Sequence, residues 1–169
     1  MLYPKKTSLY EVLHSSSVED IDYVMKLRLL LGISNIFSLL HDLEFFHGHL
    51  SPHNIFVELP TEDDETSPAL DIKIAELETK DLQKYENMFH NYRPISVWSS
   101  PESLKQPKKL PDSTTANDVY SYGMIMWEVF HQSVPFDGDT QAATDIVLKD
   151  DARPLINADI EVDNSLMAS

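Results

Sequence analysis

The stretch from Asp118 to Phe130, DVYSYGMIMWEVF, constrains this chain more than any other, because it is apolar nearly all round a helical wheel. A helix without a polar face cannot lie on a surface. The pattern therefore predicts burial on every side, at the centre of a mainly helical domain. Val134-Pro135-Phe136 closes it, since proline supplies no amide hydrogen to a continuing helix. A chain of 169 residues has the size for one such core; a domain of roughly 150 residues buries about 68–70% of the surface its unfolded chain exposes.

Nearer the N-terminus, Ser8 and Glu11 stand at the spacing of a capping box, which predicts a short helix to about His14, before Ser15-Ser16-Ser17. A second helix is expected to start near Val18-Glu19-Asp20, where acids suit the positive end of the helix dipole. Ile21, Val24, Met25, Leu27, Leu31, Ile36, Phe37 and Leu40 recur at threes and fours, the pattern of roughly six turns of wide-faced, mostly buried helix. Gly32 lies inside it at a cost in helix propensity that the sequence does not explain. Arg28, Ser34, Asn35, His41 and Asp42 make the run too polar to span a bilayer.

Ile55-Phe56-Val57 and Ile72-Lys73-Ile74-Ala75 predict a small β-hairpin. The segment between them, Leu59 to Pro68, is acidic and proline-containing and reads as a solvated loop. Residues 79–100 show no clean period beyond one short helix around Lys80–Phe89, and Lys105 to Thr115 reads as a surface connection. Asp139 caps a further helix over Thr140–Leu148, and the tail from Asn157 is polar.

Lys and Arg number 13 against 28 Asp and Glu, a net charge of −15. A field of that sign repels phosphate, which argues against nucleic acid and anionic membranes and favours basic partners. There is no cysteine, so disulfides, thiolate metal sites and cysteine nucleophiles are excluded. Met1-Leu2-Tyr3-Pro4-Lys5-Lys6 lacks the form of a secretory signal, and a cytoplasmic protein is expected.

Between the long helix and the hairpin lies His47 to Asn54, HGHLSPHN, a polar turn joining a helix to a strand. It resembles the catalytic loop of protein kinases, H-R-D-L-K-P-x-N: His47, Leu50, Pro52 and Asn54 match. Gly48 stands in place of the arginine, His49 in place of the catalytic aspartate and Ser51 in place of the lysine. Ile72-Lys73-Ile74-Ala75 followed by Glu76-Leu77-Glu78 is similar to the strand that runs into the metal-binding D-F-G. Trp98-Ser99-Ser100-Pro101-Glu102 resembles the A-P-E element, and Asp118-Val119-Tyr120-Ser121-Tyr122-Gly123 the start of the central helix. Val134-Pro135-Phe136 and Ala152-Arg153-Pro154 resemble the tyrosine-kinase-like group, which includes integrin-linked kinase and the mixed-lineage-kinase-like pseudokinases.

The resemblance covers residues 1–156 as one kinase-like domain and leaves 157–169 as a polar tail. It implies a mainly α (α+β) fold: a kinase large lobe with a buried central helix and a small β-hairpin. The small lobe is absent on this reading, because Met1-Leu2-Tyr3 falls at the hinge.

It also implies a chemistry. Phosphoryl transfer is positioning plus stabilisation of spread negative charge. The imidazole of His49 can take a proton near neutral pH but does not orient a hydroxyl as a carboxylate would, and losing a positioned base costs about 10²–10⁴-fold. Ser51 is too short to reach a transferred phosphate. The degenerate loop of His47, Gly48, His49, Ser51 and Asn54 thus leaves no catalytic residue, and the expectation is a pseudokinase that is no enzyme. Its function would be protein interaction or allosteric signalling, with an active kinase or signalling complex as partner and with neither nucleic acid nor membrane. Asn91–Pro101, Thr140–Leu148 and Glu62–Glu65 are the candidate docking surfaces.

No cofactor is expected on that reading. The alternative is a fragment of a weakly active, ATP-binding serine/threonine or tyrosine kinase, in which Asn54 and Glu76 supply hard oxygen ligands for weak ATP/Mg binding. A plainer role for Asn54 is to brace its loop. His47, His49 and His53 invite a zinc reading, though their spacing matches no zinc signature. Phe56 falls at the adenine floor; Leu77 and Asp118 read as scaffold, Trp98 and Trp127 as core aromatics.

Overall fold

In this computed structural model the described residues are 7–15, 21–58, 70–75, 95–106 and 114–157. In chain order they form β1 (Thr7–Ser8), α1 (Leu9–His14), α2 (Tyr23–Asp42), β2 (Ile55–Glu58), β3 (Asp71–Ile74), α3 (Pro101–Lys105), α4 (Thr115–His131) and α5 (Thr140–Asp150), with single 3₁₀ turns at Pro52–Asn54 and Pro135–Gly138. The loop from Leu59 to Pro68, the short helix expected at Lys80–Phe89 and the tail beyond Asn157 lie outside the described residues.

Ser8 closes the first strand and opens the first helix. Its Oγ accepts from the Glu11 amide at 3.2 Å, and its own amide donates to Glu11 Oε2 at 3.0 Å, the reciprocal capping box read from the sequence. The hairpin pairs Ile55 with Ile74, Phe56 with Lys73, Val57 with Ile72 and Glu58 with Asp71, all antiparallel. The sheet gains a third strand, because Thr7 and Ser8 pair with Val57 and Phe56. A two-residue strand shows no alternation, so its sequence carries no signal for it.

Two expectations about α2 are corrected. It starts at Tyr23, with Asp22 in extended backbone accepting from the Met25 amide at 2.7 Å, instead of near Val18. Its buried face is Leu29, Leu30, Ile33 and Phe37, whereas Val24, Leu27 and Leu31 are 47%, 39% and 62% exposed. A helix this rich in apolar residues carries more than one apolar stripe, and packing on β3 and α4 selects which one is buried. Gly32 marks the contact: a Cβ there would come within 2.5 Å of Ile72 Cδ1 on β3, so the strand crosses close enough that any larger side chain displaces the end of Ile72. The judgement that the run is too polar for a membrane is also corrected. By length and mean hydropathy (1.4) alone, α2 would pass as a span.

The central helix α4 opens at Thr114, whose side chain accepts from the Asn117 amide, and ends where Gln132 turns into the left-handed region at φ 47°. It buries Asn117, Asp118, Ser121, Met124, Ile125, Glu128 and Val129. Burial on every side does not hold among the described residues, because Val119 is 59% and Met126 38% exposed. Trp127, expected in the core, is half-buried and stacks on His131 at 4.0 Å. The core itself sits between α1, α2, β2 and α4, with Leu9, Leu29, Ile33, Leu50, Ile55 and Ile125 essentially sealed from solvent. The last helix, α5, is capped as predicted, Asp139 Oδ1 accepting from Gln141 and Ala142 at 2.9 and 3.0 Å.

Candidate active site

Asp118, in the first turn of α4, holds the His47–Asn54 loop in place. Its carboxylate is 1% exposed and accepts from the His47 amide at 2.9 Å, the Gly48 amide at 2.7 Å and His41 Nε2 at 2.9 Å. A charge that deep is tolerated only when its lone pairs are filled by well-placed donors, and here donors come from the loop and from the last turn of α2. Gly48 sits at φ 78°, a conformation that costs an L-residue side chain about 1–2 kcal/mol. Glycine at the family's arginine position therefore keeps the turn while losing the cation.

His47 lies beneath the turn, 1% exposed. Its Nε2 is 3.0 Å from the Ala75 carbonyl, which can only accept, so Nε2 carries the hydrogen and Nδ1 is a bare lone pair without a partner among the described residues. Burial first, then the nearby His49, lower its pKa from 6.5 to about 4, and the ring is neutral at pH 7. His49 is half-buried and meets the His47 ring edge-on at 4.6 Å. Leu50 and Pro52 anchor the loop in the core. At its far end the Asn54 amide donates to the Ser51 carbonyl at 3.1 Å, and the Ala75 amide donates to the Asn54 carbonyl at 2.8 Å. That second bond sets Asn54 beside the residue that precedes Glu76.

His53 faces elsewhere. It stacks on Tyr10 of α1 at 4.1 Å and meets Trp98 edge-on at 5.7 Å. Trp98 Nε1 donates to Glu128 Oε2 at 2.6 Å, Glu128 Oε1 lies 2.7 Å from His14 Nε2, and His14 packs on Tyr10 at 4.6 Å. Five side chains from α1, the loop, the segment before α3 and α4 thus close a ring. Burial raises the Glu128 carboxyl, and the His14 and Trp98 hydrogen bonds work against that rise. Beside it, Ser100 does more than replace an alanine. It caps α3 and its Oγ accepts from Asn117 Nδ2 at 3.0 Å, tying α3 to α4.

The structure brings together His47, Gly48, His49, Ser51 and Asn54 on one anchored loop. It does not assemble the three zinc candidates: the His47 and His49 rings stay in contact at 4.6 Å, but His47 Nε2 is committed to Ala75 and His53 stacks on Tyr10. Phe56 is half-buried in β2, opposite Ser8 and Lys73. Glu76 and Leu77 lie outside the described residues. Among the described residues, no three His, Cys, Asp or Glu side chains converge as a metal cluster. Asn54 remains as a hard-oxygen donor compatible with Mg²⁺. Sequence reasoning missed His41, His14 and Glu128, which are polar residues inside apolar helices. Such residues recur where a buried group needs a partner, and that was the available signal.

The protein tyrosine and serine/threonine kinase family matches residues 1–163. A serine/threonine-protein kinase/receptor of Acanthamoeba polyphaga mimivirus is 24% identical over 156 residues, which is 89% of this chain and 9% of the relative. The serine/threonine/tyrosine-protein kinase HT1 of Arabidopsis thaliana is 31% identical over 144 residues, 84% of this chain and 32% of the relative. The chain thus spans less than a third of either protein. Its fold matches a subunit of the AtMLKL2 tetramer with a TM-score of 0.64 at 23% identity, over 92% of this chain and 28% of the other.

These relatives correct the expectation that the chain is no enzyme, because proteins that match most of its length are named as serine/threonine or tyrosine kinases. The anchored loop, the hairpin behind it and the central helix beneath it are those of a kinase-like fold of the tyrosine-kinase-like type, and the chain belongs to the protein tyrosine and serine/threonine kinase family.

Proposed function

We propose that the chain is the large-lobe part of a weakly active, ATP-dependent serine/threonine or tyrosine protein kinase, in which His49 takes the proton that a carboxylate takes elsewhere in the family. The observation that carries this reading is the double anchoring of the loop. Asp118 grips its start through two backbone amides, and Ala75 grips its end through the Asn54 carbonyl. Catalysis by positioning needs a fixed loop more than any single side chain.

Within that frame the roles divide by chemistry. The Asn54 side-chain oxygen is the metal ligand of the described set, with Glu76 the second candidate. Nucleotide and Mg²⁺, when bound, supply the transferable phosphoryl group and neutralise its charge. As the substrate oxygen bonds to phosphorus and the bond to the leaving oxygen breaks, the hydroxyl proton passes to an imidazole nitrogen of His49. His47 is unsuited to that task, because its Nε2 hydrogen is committed to Ala75 and its ring is buried. Ser51 provides no cation to follow the phosphate, so turnover is slow. The kinase names of the relatives support the same direction.

Thermal denaturation with increasing ATP and Mg²⁺ tests the reading. Ligand at about 100 times its Kd adds about 2.7 kcal/mol to the folded state, and a saturable rise in Tm is expected that Asn54→Ala removes. No rise at millimolar nucleotide, or a rise that Asn54→Ala leaves intact, overturns it.

A further inference from the structure

We infer that Glu128 is a positioning residue for the His47–Asn54 loop, acting through Trp98 and Tyr10 on His53. For phosphoryl transfer the inference rests on the catalytic reading of the loop; for the ordering of the loop it does not. Asp118 and the Ala75 amide hold the two ends of that loop. In the 3₁₀ turn Pro52–Asn54, Pro52 and Asn54 are buried, and His53 between them is exposed. A loop side chain so placed is ordinarily mobile, yet this one is gripped on two sides. Its ring stacks on Tyr10 at 4.1 Å with 26° between the planes, and meets Trp98 edge-on at 5.7 Å and 84°. Stacked and edge-on pairs are the arrangements aromatic rings prefer.

Both gripping rings are set by one carboxylate. Trp98 belongs to a tight turn in which the Ser99 amide donates to the Ser96 carbonyl at 3.0 Å, and its own carbonyl accepts from Ser121 Oγ of α4 at 2.9 Å. Those bonds fix the backbone without choosing the indole's rotamer. Glu128 Oε2 chooses it, accepting from Trp98 Nε1 at 2.6 Å. Glu128 Oε1 lies 2.7 Å from His14 Nε2, and His14 packs on Tyr10 at 4.6 Å.

A carboxylate with 0% exposure is a poor device for stability alone, because an apolar side chain of similar volume often serves as well or better. What apolar packing does not supply is direction. Two hydrogen bonds orient two rings, and the rings hold the outward residue of the turn. Asn54 follows His53 directly, so slack at His53 is slack at the side chain proposed for Mg²⁺. Misplacement by about 1 Å can cost about 10²-fold in rate.

The test measures peptide phosphorylation and amide hydrogen exchange on the full chain. Glu128→Ala removes both bonds. Glu128→Gln keeps both, since its carbonyl oxygen accepts from Trp98 and its NH₂ donates to His14 Nε2 in the other tautomer. Tyr10→Leu, at a half-buried position on α1, removes the stack and serves if Glu128→Ala does not fold. The Asn54 amide, which donates to the Ser51 carbonyl at 3.1 Å, is expected to exchange about ten-fold faster or more in Glu128→Ala and Tyr10→Leu. It should match wild type in Glu128→Gln, and the Gly48 amide, held by Asp118, should not change in any of them. In the same two variants kcat is expected to fall about ten-fold or more, with the peptide KM within about two-fold of wild type. Unchanged Asn54 exchange in those variants, or equal acceleration at Gly48, overturns the proposal. So does Glu128→Gln behaving as Glu128→Ala, or a loss confined to the peptide KM, since either makes Glu128 a charge that binds and not a guide that orients. A wild type that transfers no phosphate refutes the kinase reading alone, and Asn54 exchange then decides the positioning role.

Discussion

Replacing Asp118 with asparagine exchanges one carboxylate oxygen for an NH₂ group at the point where three donors meet. Whichever way the amide is turned, its NH₂ faces a backbone amide: that of Gly48 on the Oδ1 side, or that of His47 on the Oδ2 side. His41 can adjust its tautomer, but neither backbone amide can. The substitution loses charge-assisted hydrogen bonds, worth about 1.5–3 kcal/mol, and strands a buried N–H at about 1–3 kcal/mol. Removing a buried charge recovers part of that through desolvation, so the net expected loss is about 2–4 kcal/mol. Asp118→Ala, which leaves all three donors bare, is expected to cost about 3–5 kcal/mol. Urea unfolding gives the stability change, and amide hydrogen exchange at His47 and Gly48 shows where it falls. Both amides should lose protection before those of Ile125 and Val129 in the middle of α4. A change below about 0.5 kcal/mol, the size of an ordinary surface substitution, with protection of both amides intact, would refute the anchoring role of this carboxylate.

Acid should weaken the fold through His47. An unfolded histidine keeps its ordinary value of 6.5 while the folded one sits at about 4, so in that window the unfolded state binds more protons and stability falls with falling pH. The full effect is about 3 kcal/mol, complete below about pH 4. It is best measured as wild type minus His47→Gln, because the raised Glu128 carboxyl titrates with the opposite sign; a flat difference contradicts it. Gly48→Ala, forced to φ 78°, should cost about 1–2 kcal/mol in thermal denaturation, and an unchanged Tm would count against the left-handed turn. Gly32→Ala should stay within about 1 kcal/mol of wild type, since the helix gains propensity and the obstructing atom, Ile72 Cδ1, is the movable end of its side chain. Gly32→Leu should cost about 1–3 kcal/mol by overpacking, and equal stability of the two variants would deny the close crossing of β3 over α2.

What the sequence made legible was local chemistry. Ser8 with Glu11, and Asp139 before Thr140, act within a few residues, and both caps form as read. The hairpin declared itself through two short apolar runs, and the four ordered motifs carried the kinase resemblance. What remained hidden depends on residues far apart in the chain. Which stripe of α2 is buried is decided by β3 and α4, so Val24, Leu27 and Leu31 pass for core until their neighbours are placed. Gly32 looked like a defect until Ile72 was set against it. The polar ring through His14, Glu128 and Trp98 joins residues more than a hundred positions apart, and no local period points to it. The bare side of α4 eluded the pattern for another reason. Apolarity all round a helix says that every side prefers cover, and not that this stretch of chain supplies it.

The most direct test of the account is transfer of radioactive phosphate from ATP to serine-, threonine- and tyrosine-containing peptides by the purified protein, compared with His49→Ala and His49→Asp. Slow transfer is expected from wild type, lower by about 10²-fold or more in His49→Ala and equal or faster in His49→Asp. The same counts from wild type and His49→Ala, or no transfer by wild type under conditions where His49→Asp is active, would contradict it.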